Sequence, residues 1–339
     1  MFKKVFIVAE LSANHGGSLQ TAIETIKAAK RAGADAIKLQ TYTPDTMTID
    51  SEKDDFIVSG GSIWDGEKFY ELYQKAYTPW DWHEKLFKTA REEGLTCFST
   101  PFDKSAVDFL EELGNPIYKI ASFEITDIPL IDYIASKDKP IILSTGIAEK
   151  SDIELALKTI RNRNSNQIVL LKCTSSYPAP LEEANLLTLT DYTKSFGVIP
   201  GISDHTLGIT APVVATALGA KVIEKHFILD KSIGGPDSTF SLDQNEFSQM
   251  VKNVRDAEKS LGKIDYNLTE KQKKGKDFSR SLYIVEDVKK GEKITKDNIR
   301  SIRPGFGMHP KYFKDILGKR FINNFSKGTR LSFEKIEEK

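Results

Sequence analysis

The sequence predicts an α/β protein, a (β/α)8 barrel followed by a small β-rich domain. Eight short apolar runs have the composition of fully buried parallel strands, and a segment with helical periodicity follows each run. The chain has 339 residues, enough for a barrel of about 250 residues and an appendage. A doubly wound open sheet is the alternative, but no GxGxxG motif follows the first run.

The predicted strands and helices alternate along the chain. The strands are Val5–Ala9, Ala36–Gln40, Thr96–Ser99, Ile117–Ala121, Pro140–Ser144, Ile168–Cys173, Val198–Ile202 and Val222–His226. The helices are Ser18–Ala32, Trp82–Glu93, Lys104–Leu113, Ile128–Ser136, Ser151–Arg161, Ala184–Ser195, Gly208–Leu218 and Gln244–Leu261. Asp103, Asp127 and Asp243 precede three of these helices, as N-cap residues commonly do.

Two regions depart from a minimal barrel. Thr41–Pro79 is a long connection rich in Gly, Asp and aromatic residues, which predicts either a lid over the barrel mouth or a dimer-forming insertion. Near the end, a Lys-rich polar stretch precedes short apolar runs with Gly turns at Gly291 and Gly328. We therefore divide the chain into a catalytic barrel (1–262), a linker (263–278) and a small domain (279–339).

Composition excludes several classes of function. Lys plus Arg and Asp plus Glu balance at 48 each, so we expect no nucleic-acid partner and no membrane partner. Cys97 and Cys173 lie inside predicted strands and are interpreted as reduced core residues. A catalytic thiol is the alternative, but no His lies nearby in sequence. The first apolar run is too short for a signal peptide, and no run approaches membrane-spanning length, so we expect a cytoplasmic protein.

Two histidines end consecutive predicted strands. His205 closes one run and His226 closes the next, with a predicted helix between them. A βαβ unit brings the ends of its two strands side by side, so the imidazoles can converge on one metal ion, with Asp204 and Glu224 as acids beside them. The alternative is that each histidine is a hydrogen-bonded packing residue.

Lysines and hydroxyls occupy other strand ends, where the active site of a barrel lies. Lys38, Lys119 and Lys172 stand on buried strands, which is costly unless each meets an anion or turns outward. With the hydroxyls at neighbouring strand ends, Lys38 and Lys119 predict a pocket for phosphate and carboxylate groups. A structural ion pair, or a Schiff-base lysine at Lys119 or Lys172, is the alternative. The predicted site can hold an anionic substrate while a metal polarises a carbonyl of a second one.

The ordered motifs resemble a known family over essentially the whole chain. They are Ala9-Glu10, Asn14-His15-Gly16-Gly17-Ser18, Lys38-Leu39-Gln40-Thr41, Ser99-Thr100-Pro101-Phe102-Asp103, Tyr118-Lys119-Ile120-Ala121-Ser122, Leu143-Ser144-Thr145-Gly146, Tyr177-Pro178-Ala179-Pro180, Ser203-Asp204-His205-Thr206-Leu207-Gly208 and Glu224-Lys225-His226-Phe227. This order is similar to that of the sialic acid synthases. Arg303-Pro304-Gly305 and Gly318 resemble their C-terminal antifreeze-like (SAF) domain. Ser122-Phe123-Glu124-Ile125, the stretch 76–83 and Gly234-Gly235-Pro236-Asp237-Ser238 look most like the pseudaminic acid synthase branch.

The resemblance implies a transferase reaction. Phosphoenolpyruvate would condense with 2,4-diacetamido-2,4,6-trideoxy-L-altrose and water to give a nine-carbon 2-keto acid and phosphate. Carbon 3 of phosphoenolpyruvate would attack the sugar aldehyde, water would capture carbon 2, and the tetrahedral intermediate would lose phosphate. A synthase of N-acetylneuraminate or legionaminate is the alternative within the family. A non-catalytic sugar-binding protein is the alternative from another class.

The resemblance also implies site residues. A divalent metal, typically Mn²⁺ with Mg²⁺ or Co²⁺ as alternatives, would bind His205 and His226 and polarise the aldehyde. Glu10 would manage a proton or water, and Glu224 would assist near the metal. Asp237 would contact the sugar, and Arg303 would reach it from the other subunit of a domain-swapped homodimer. The residues implied for phosphoenolpyruvate are Lys38, Thr100, Lys119, Ser122, Ser144, Ser175 and Tyr177.

Three positions depart from the neuraminate enzymes. Their Ser-Gly-Glu is Ser122-Phe123-Glu124 here, and their Gly-Pro-Asp-His ends in Ser238. Ser175 stands where those enzymes often carry an Asn near the phosphate. A Phe in place of Gly narrows and dries the pocket, which would suit the methyl group of a 6-deoxy sugar. The alternative is that the Phe123 ring points into the core.

Overall fold

The first of two units in the chain is a closed parallel barrel. The computed structural model describes residues 3–59, 61, 64–163 and 167–337, and it divides the chain into units 1–262 and 263–339. Within the described part of the first unit, eight parallel strands pair in sequence order, and β8 returns to β1 with Glu10 opposite His226. The strands are β1 Phe6–Glu10, β2 Ala36–Thr41, β3 Thr96–Pro101, β4 Tyr118–Ile120, β5 Ile141–Ser144, β6 Ile168–Cys173, β7 Ile199–Asp204 and β8 Val222–His226. The predicted (β/α)8 fold is confirmed.

Helices alternate with these strands. Those of the first unit are α1 Leu19–Arg31, α2 Pro44–Met47, α3 Phe69–Ala76, α4 Trp80–Glu92, α5 Lys104–Glu112, α6 Ile128–Ala135, α7 Lys150–Asn162, α8 Thr188–Asp191, α9 Thr210–Ala217 and α10 Gln244–Leu261. As the sequence predicts, Asp103, Asp127 and Asp243 cap α5, α6 and α10 by accepting backbone N–H groups of the first turn. In α1 an apolar face containing Ala22, Ile26 and Ala29 is buried.

The predicted helix Ala184–Ser195 is wrong at its start. A short 3₁₀ turn covers Leu181–Ala184, α8 begins only at Thr188, and a π turn follows at Tyr192–Phe196. Asn185 separates the two parts with a left-handed φ of 45°. Its side-chain amide donates to the Glu183 carbonyl oxygen at 3.0 Å, the kind of local hydrogen bond that lets Asn adopt this conformation.

The connection between β2 and α4 is structured and tied together at its base. It contains α2, a 3₁₀ turn at Asp54–Phe56, and α3. The indole N–H of Trp80 donates to the Tyr42 carbonyl oxygen at 3.1 Å. His83 bridges both ends of the connection, with Nε2 at 2.8 Å from Thr41 Oγ1 and Nδ1 at 3.2 Å from the Pro79 carbonyl oxygen. The two ends are therefore hydrogen-bonded to each other.

The barrel interior changes character along the strands. Val8, Ile142, Val169, Leu171 and Val222 pack into one buried apolar cluster inside the barrel. Side chains two residues further along a strand point the same way, and several of these positions are polar. They are Glu10 after Val8, Ser144 after Ile142, Cys173 after Leu171 and Glu224 after Val222. The apolar cluster therefore forms a floor beneath a polar layer at the carboxyl ends of the strands.

The second unit has a small core of its own. Strand β9 (Ser281–Ile284) pairs antiparallel with β10 (Ile299–Ile302), and Gly291 and Gly328 adopt positive φ of 80° and 88° in the predicted turns. The core includes Leu282, Ile284, Ile299, Phe321 and Leu331. Two short helices, α11 Glu270–Gly275 and α12 Phe313–Ile316, complete the unit. Across all the residues that the structure describes, we find no helix long and apolar enough to cross a membrane.

Candidate active site

A cavity of about 640 Å³ opens at the carboxyl ends of the barrel strands. Eleven of the residues that the sequence predicts for the site line it. They are Glu10, Lys38, Lys119, Ser122, Ser144, Ser175, Tyr177, His205, Glu224, His226 and Asp237. Barrels concentrate their chemistry at this end because every β-to-α loop meets there.

Two predicted residues do not line the cavity. Thr100 is fully buried, and its hydroxyl accepts a hydrogen bond from Lys38 Nζ at 3.3 Å. Arg303 belongs to the second unit, one residue after β10.

Four buried charges form a cluster in the polar layer. Lys38 Nζ lies 2.6 Å from Glu10 Oε2 and 3.6 Å from Glu224 Oε1, and Lys119 Nζ lies 3.3 Å from Glu224 Oε1. Ser203 donates its hydroxyl to Glu224 Oε1 at 3.0 Å. The second oxygen of Glu224 has no hydrogen-bond partner in the described part of the chain. This oxygen can therefore accept a hydrogen bond from a ligand.

Their surroundings shift the pKa values of Glu10 and Glu224 in opposite directions. Burial raises the pKa of Glu10, and the negative charge of Glu224 adds to the effect against the opposition of Lys38. Burial acts on Glu224 in the same sense, but Lys119 and Lys38 outweigh it and hold its pKa below the usual value. Two carboxyl groups with diverging pKa values suit one proton-carrying role and one charge-stabilising role.

The two lysines also differ. Burial lowers the pKa of Lys119, and the nearby charge of Lys38 adds to this despite Glu224. For Lys38 the charges of Glu10 and Glu224 outweigh burial and raise the pKa. Two carboxylates therefore stabilise the charged form of Lys38. Within the described part of the chain, Lys119 contacts only one carboxylate, so an added anion would stabilise its charge more than that of Lys38.

The histidines face each other across the ends of β7 and β8. Their ring centroids are 5.3 Å apart in an edge-to-face arrangement. Nδ1 of His205 donates to the Thr174 carbonyl oxygen at 3.0 Å, which leaves Nε2 as the lone-pair nitrogen. Nδ1 of His226 is buried with no hydrogen-bond partner in the described ranges, and it lies 3.7 Å from Asp237 Oδ2.

These residues fit a divalent metal. A neutral imidazole nitrogen is the commonest protein ligand for a divalent metal, and two histidines side by side can share one ion whose other positions take oxygen ligands. Burial lowers the pKa of His226 well below its usual value, and the neighbouring His205 adds to this, so the ring is neutral as a ligand must be. No cluster of three or more His, Cys, Asp or Glu suited to a metal occurs among the described residues. The protein would thus supply two histidines and leave other positions to substrate or water.

One strand-end prediction is wrong because alternate residues of a strand face opposite ways. Asp204 was predicted beside the metal pair, but it faces away from the cavity and binds Lys225 at 2.6 Å with both side chains buried. Lys172, the third strand lysine, lies between the inward-facing Leu171 and Cys173 and donates to the Cys173 carbonyl oxygen at 2.8 Å, so it is turned away from the anion pocket predicted for Lys38 and Lys119. Neither side chain lines the cavity.

Several cavity residues were missed. Gln40 donates to Glu10 Oε1 at 2.9 Å and to Ser12 Oγ at 2.9 Å, which orients the carboxyl group. Burial raises the pKa of Glu124 to about 7. Cys97 is a core thiol as predicted, but Cys173 lines the cavity with Sγ 3.8 Å from His205 Nδ1, so a histidine is near in space though distant in sequence. Glu124 lies inside the motif Ser122-Phe123-Glu124-Ile125, and Cys173 lies at a strand end. Both positions could therefore have been proposed from the sequence as cavity-lining candidates.

Phe123 points toward solvent and the cavity. Its side chain is 57% exposed and lines the cavity, so the alternative of a core position is wrong. The neighbouring Ser122 is held in place because its hydroxyl accepts the Gly146 backbone N–H at 3.0 Å. The motif thus presents a serine, an aromatic ring and a carboxyl group to one space.

A parallel barrel with a buried charge cluster at its strand ends defines the class of (β/α)8-barrel enzymes. The model of the NeuB family matches residues 25–266, and that of the SAF domain matches residues 279–337. The chain belongs to the NeuB family and ends in a SAF domain. The resemblance to the sialic acid synthases is thereby confirmed.

Three relatives set this membership in context. A pseudaminic acid synthase of Campylobacter jejuni is 51% identical over 97% of this chain and 96% of its own. An N,N'-diacetyllegionaminic acid synthase of Legionella pneumophila is 38% identical over 98% of this chain and 94% of its own. The crystal structure of an N-acetylneuraminic acid synthetase from Leptospira borgpetersenii, in complex with citrate, superposes with a TM-score of 0.72 at 31% identity, covering 80% of this chain and 90% of that one.

Proposed function

We propose that this chain is a pseudaminic acid synthase. It would condense phosphoenolpyruvate with 2,4-diacetamido-2,4,6-trideoxy-L-altrose and water, giving pseudaminic acid and phosphate. The observation that carries the proposal is one cavity that holds both a buried lysine–glutamate cluster and a facing histidine pair. The 51% identity to the Campylobacter jejuni enzyme, against 38% to the legionaminic acid synthase, favours this sugar over the alternatives.

The lysines and hydroxyls would bind phosphoenolpyruvate. Lys119 and Lys38 supply the positive charge, and the Thr100 hydroxyl accepts a hydrogen bond from Lys38. The buried hydroxyl of Ser144 has no partner among the residues described and lines the cavity, so it is free to donate to a phosphate or carboxylate oxygen. The hydroxyls that line the same cavity and complete this subsite are Ser122, Ser175 and Tyr177.

The histidine pair would hold a divalent metal, Mn²⁺ in the first instance and Mg²⁺ or Co²⁺ as alternatives. When bound by His205 and His226, such an ion supplies Lewis acidity toward an aldehyde oxygen. Asp237, 3.7 Å from His226, would accept hydrogen bonds from sugar hydroxyls on this side of the cavity.

The glutamates would manage charge and protons as bonds change. Carbon 3 of phosphoenolpyruvate forms a bond to the aldehyde carbon, which leaves carbon 2 cationic, and anionic Glu224 stabilises that charge. Water adds to carbon 2 and loses a proton to Glu10, whose raised pKa makes it the better base, and the sugar alkoxide receives the equivalent proton. The carbon 2–oxygen bond of the tetrahedral intermediate then breaks, phosphate leaves with the bridging oxygen and takes up the proton of the carbon 2 hydroxyl, and the ketone forms.

We also propose a domain-swapped homodimer in the cytoplasm. The linker exposes large apolar side chains, with Ile264 at 92% and Tyr266 at 96%, and a second copy of the chain would cover them. In such a dimer Arg303 of one subunit would reach the sugar in the other. The buried free thiols of Cys97 and Cys173 support a reducing compartment.

A sugar panel tests this function. The purified protein is incubated with phosphoenolpyruvate, MnCl₂ and one of three sugars: the diacetamido-trideoxy-L-altrose, its isomer of manno configuration, or N-acetylmannosamine. We expect phosphate release with the altrose, and loss of that release when a chelator is added. A preference for N-acetylmannosamine would overturn the choice of sugar. Turnover that resists the chelator, together with a lysine adduct trapped by borohydride, would overturn the metal-dependent mechanism in favour of a Schiff base.

A further inference from the structure

One side of the cavity is apolar and comes from a single segment of the chain. The charged groups at the bottom belong to the barrel strands, whereas the apolar side belongs to the connection between β2 and α4. We call its members the apolar wall. They are Tyr42, Met47, Val58, Phe69, Leu72 and Tyr73, and the same segment also lines the cavity with Ser59, Trp64 and Ala76.

The apolar wall is held in place by ring contacts. Tyr42 meets Tyr73 edge-to-face at 5.8 Å, and Tyr73 stacks on Phe69 at 6.1 Å. Phe102, which follows β3, meets Tyr42 at 5.2 Å and so joins the wall to the barrel. Val58 and Leu72 are buried even though they line the cavity. Together with the hydrogen bonds of His83 and Trp80 at the base of the segment, these contacts make the wall a preformed surface.

We propose that the apolar wall binds the methyl groups of the sugar and selects a 6-deoxy sugar over its 6-hydroxy counterpart. This rests on the proposed function and assigns to the segment a role in substrate choice. Met47, Val58, Phe69 and Leu72 offer no side-chain oxygen or nitrogen, so a hydroxyl placed against them loses water without gaining a hydrogen bond. A methyl group in the same place loses only its hydration. Apolar pockets disfavour an added hydroxyl by up to about 100-fold in kcat/KM.

The test uses two near-isosteric changes in the wall and one control. Met47→Gln and Val58→Thr add hydrogen-bonding groups at nearly constant volume. Ile49→Gln makes the same kind of change in the same segment, on a side chain that is 61% exposed and outside the cavity lining. For each protein, kcat/KM is measured with the diacetamido-trideoxy sugar and with the same sugar carrying a hydroxyl at carbon 6. The KM for phosphoenolpyruvate and the thermal midpoint are measured alongside.

We expect the wild type to favour the 6-deoxy sugar by about 10- to 100-fold. The Met47→Gln/Val58→Thr double variant should reduce that ratio about tenfold, and Ile49→Gln should leave it unchanged, with the KM for phosphoenolpyruvate constant throughout. An unchanged ratio in the double variant would overturn the inference. If the double variant unfolds, the two single variants decide, each with an expected two- to fivefold reduction, taken as roughly the square root of the double effect. A wild type without sugar-dependent phosphate release would instead contradict the proposed function itself.

Discussion

The inner and outer faces of β7 and β8 both carry buried charges, but they satisfy them differently. On the inner face, Glu224 and His226 each leave one polar atom without a hydrogen-bond partner in the described ranges. On the outer face, Lys225 and Asp204 lie 2.6 Å apart, Asp204 also accepts the Thr206 backbone N–H at 3.0 Å, and Lys225 donates to the Thr206 carbonyl oxygen. The same two strands therefore present an incomplete polar surface inward and a complete one outward.

The two faces of β7 and β8 therefore differ in role: the inner face is open to a ligand, and the outer face stabilises the strand pairing. Buried polar atoms without partners cost free energy unless a ligand supplies one, so the inner face is the one where a ligand would supply the missing hydrogen-bond partners. The outer pair joins residues that are directly opposite in the strand register, one position before each histidine. It therefore stabilises the alignment that brings His205 and His226 together.

The largest effect is expected on the inner face. His226→Ala removes a proposed metal ligand and leaves no buried partner behind, so kcat/KM should fall by about 10³- to 10⁴-fold while the thermal midpoint stays near that of the wild type. Phosphate-release kinetics, a calorimetric Mn²⁺ titration and a melting curve check this. Undiminished Mn²⁺ affinity would remove His226 from the metal site.

The outer face should respond in stability. Asp204→Asn leaves Lys225 buried without its counter-ion and should lower the free energy of unfolding by about 3–5 kcal/mol, measured by urea denaturation. The double variant Asp204→Asn/Lys225→Met is the matched control, because it removes both charges and should recover much of the loss. A cost below about 1 kcal/mol in the single variant would contradict a scaffold role for the pair.

Glu124 gives a pH-dependent effect of intermediate size. Its pKa of about 7 in the fold exceeds the usual 4.5, so the folded state favours the neutral acid and the wild type loses stability as pH rises from 4.5 through 7. Glu124→Gln stays neutral and should be more stable than the wild type by about 1–3 kcal/mol at pH 8, with the difference vanishing near pH 4.5. Urea denaturation at several pH values measures this. A constant difference across the range would show that Glu124 does not titrate there.

The smallest effect is expected for Thr100, which contacts Lys38 but does not line the cavity. Thr100→Val removes a hydrogen-bond acceptor of Lys38 without altering the cavity lining. The KM for phosphoenolpyruvate should rise about three- to tenfold with little change in kcat, because one hydrogen bond contributes about 1 kcal/mol. Thr100→Ser is the control and should behave like the wild type. A loss of kcat comparable to that of His226→Ala would indicate direct participation of Thr100.

Much of the fold and part of the site follow from local sequence. The parallel strands are predicted to within two residues because strands buried on both faces are continuous apolar runs. Residues such as Lys38 and His226 are found because the carboxyl ends of barrel strands converge. Asp204 was misplaced because apolar runs buried on both faces do not reveal which alternate residue points inward. Asn185 interrupts the start of a predicted helix through a local hydrogen bond that the apolar spacing does not reveal.

Features that depend on contacts between distant parts of the chain could not be predicted from local sequence. The apolar wall depends on rings such as Tyr42 and Phe102 meeting across 60 residues of sequence. The raised pKa of Glu124 depends on burial by distant elements, and the proximity of Cys173 to His205 depends on the register of β6 and β7. No local pattern encodes these distances, because each is set by how separate elements pack.

The central claim is that one cavity joins carbon 3 of phosphoenolpyruvate to the sugar aldehyde while water adds to carbon 2, and an isotope measurement tests it most directly. Phosphoenolpyruvate labelled with ¹⁸O at the bridging oxygen is incubated with the holoenzyme, with and without the diacetamido-trideoxy sugar, and the phosphate is examined by ³¹P NMR. The account predicts phosphate release only with sugar, with the label in the phosphate because the carbon–oxygen bond breaks. Phosphate released without sugar, or label retained in the keto acid, would contradict it.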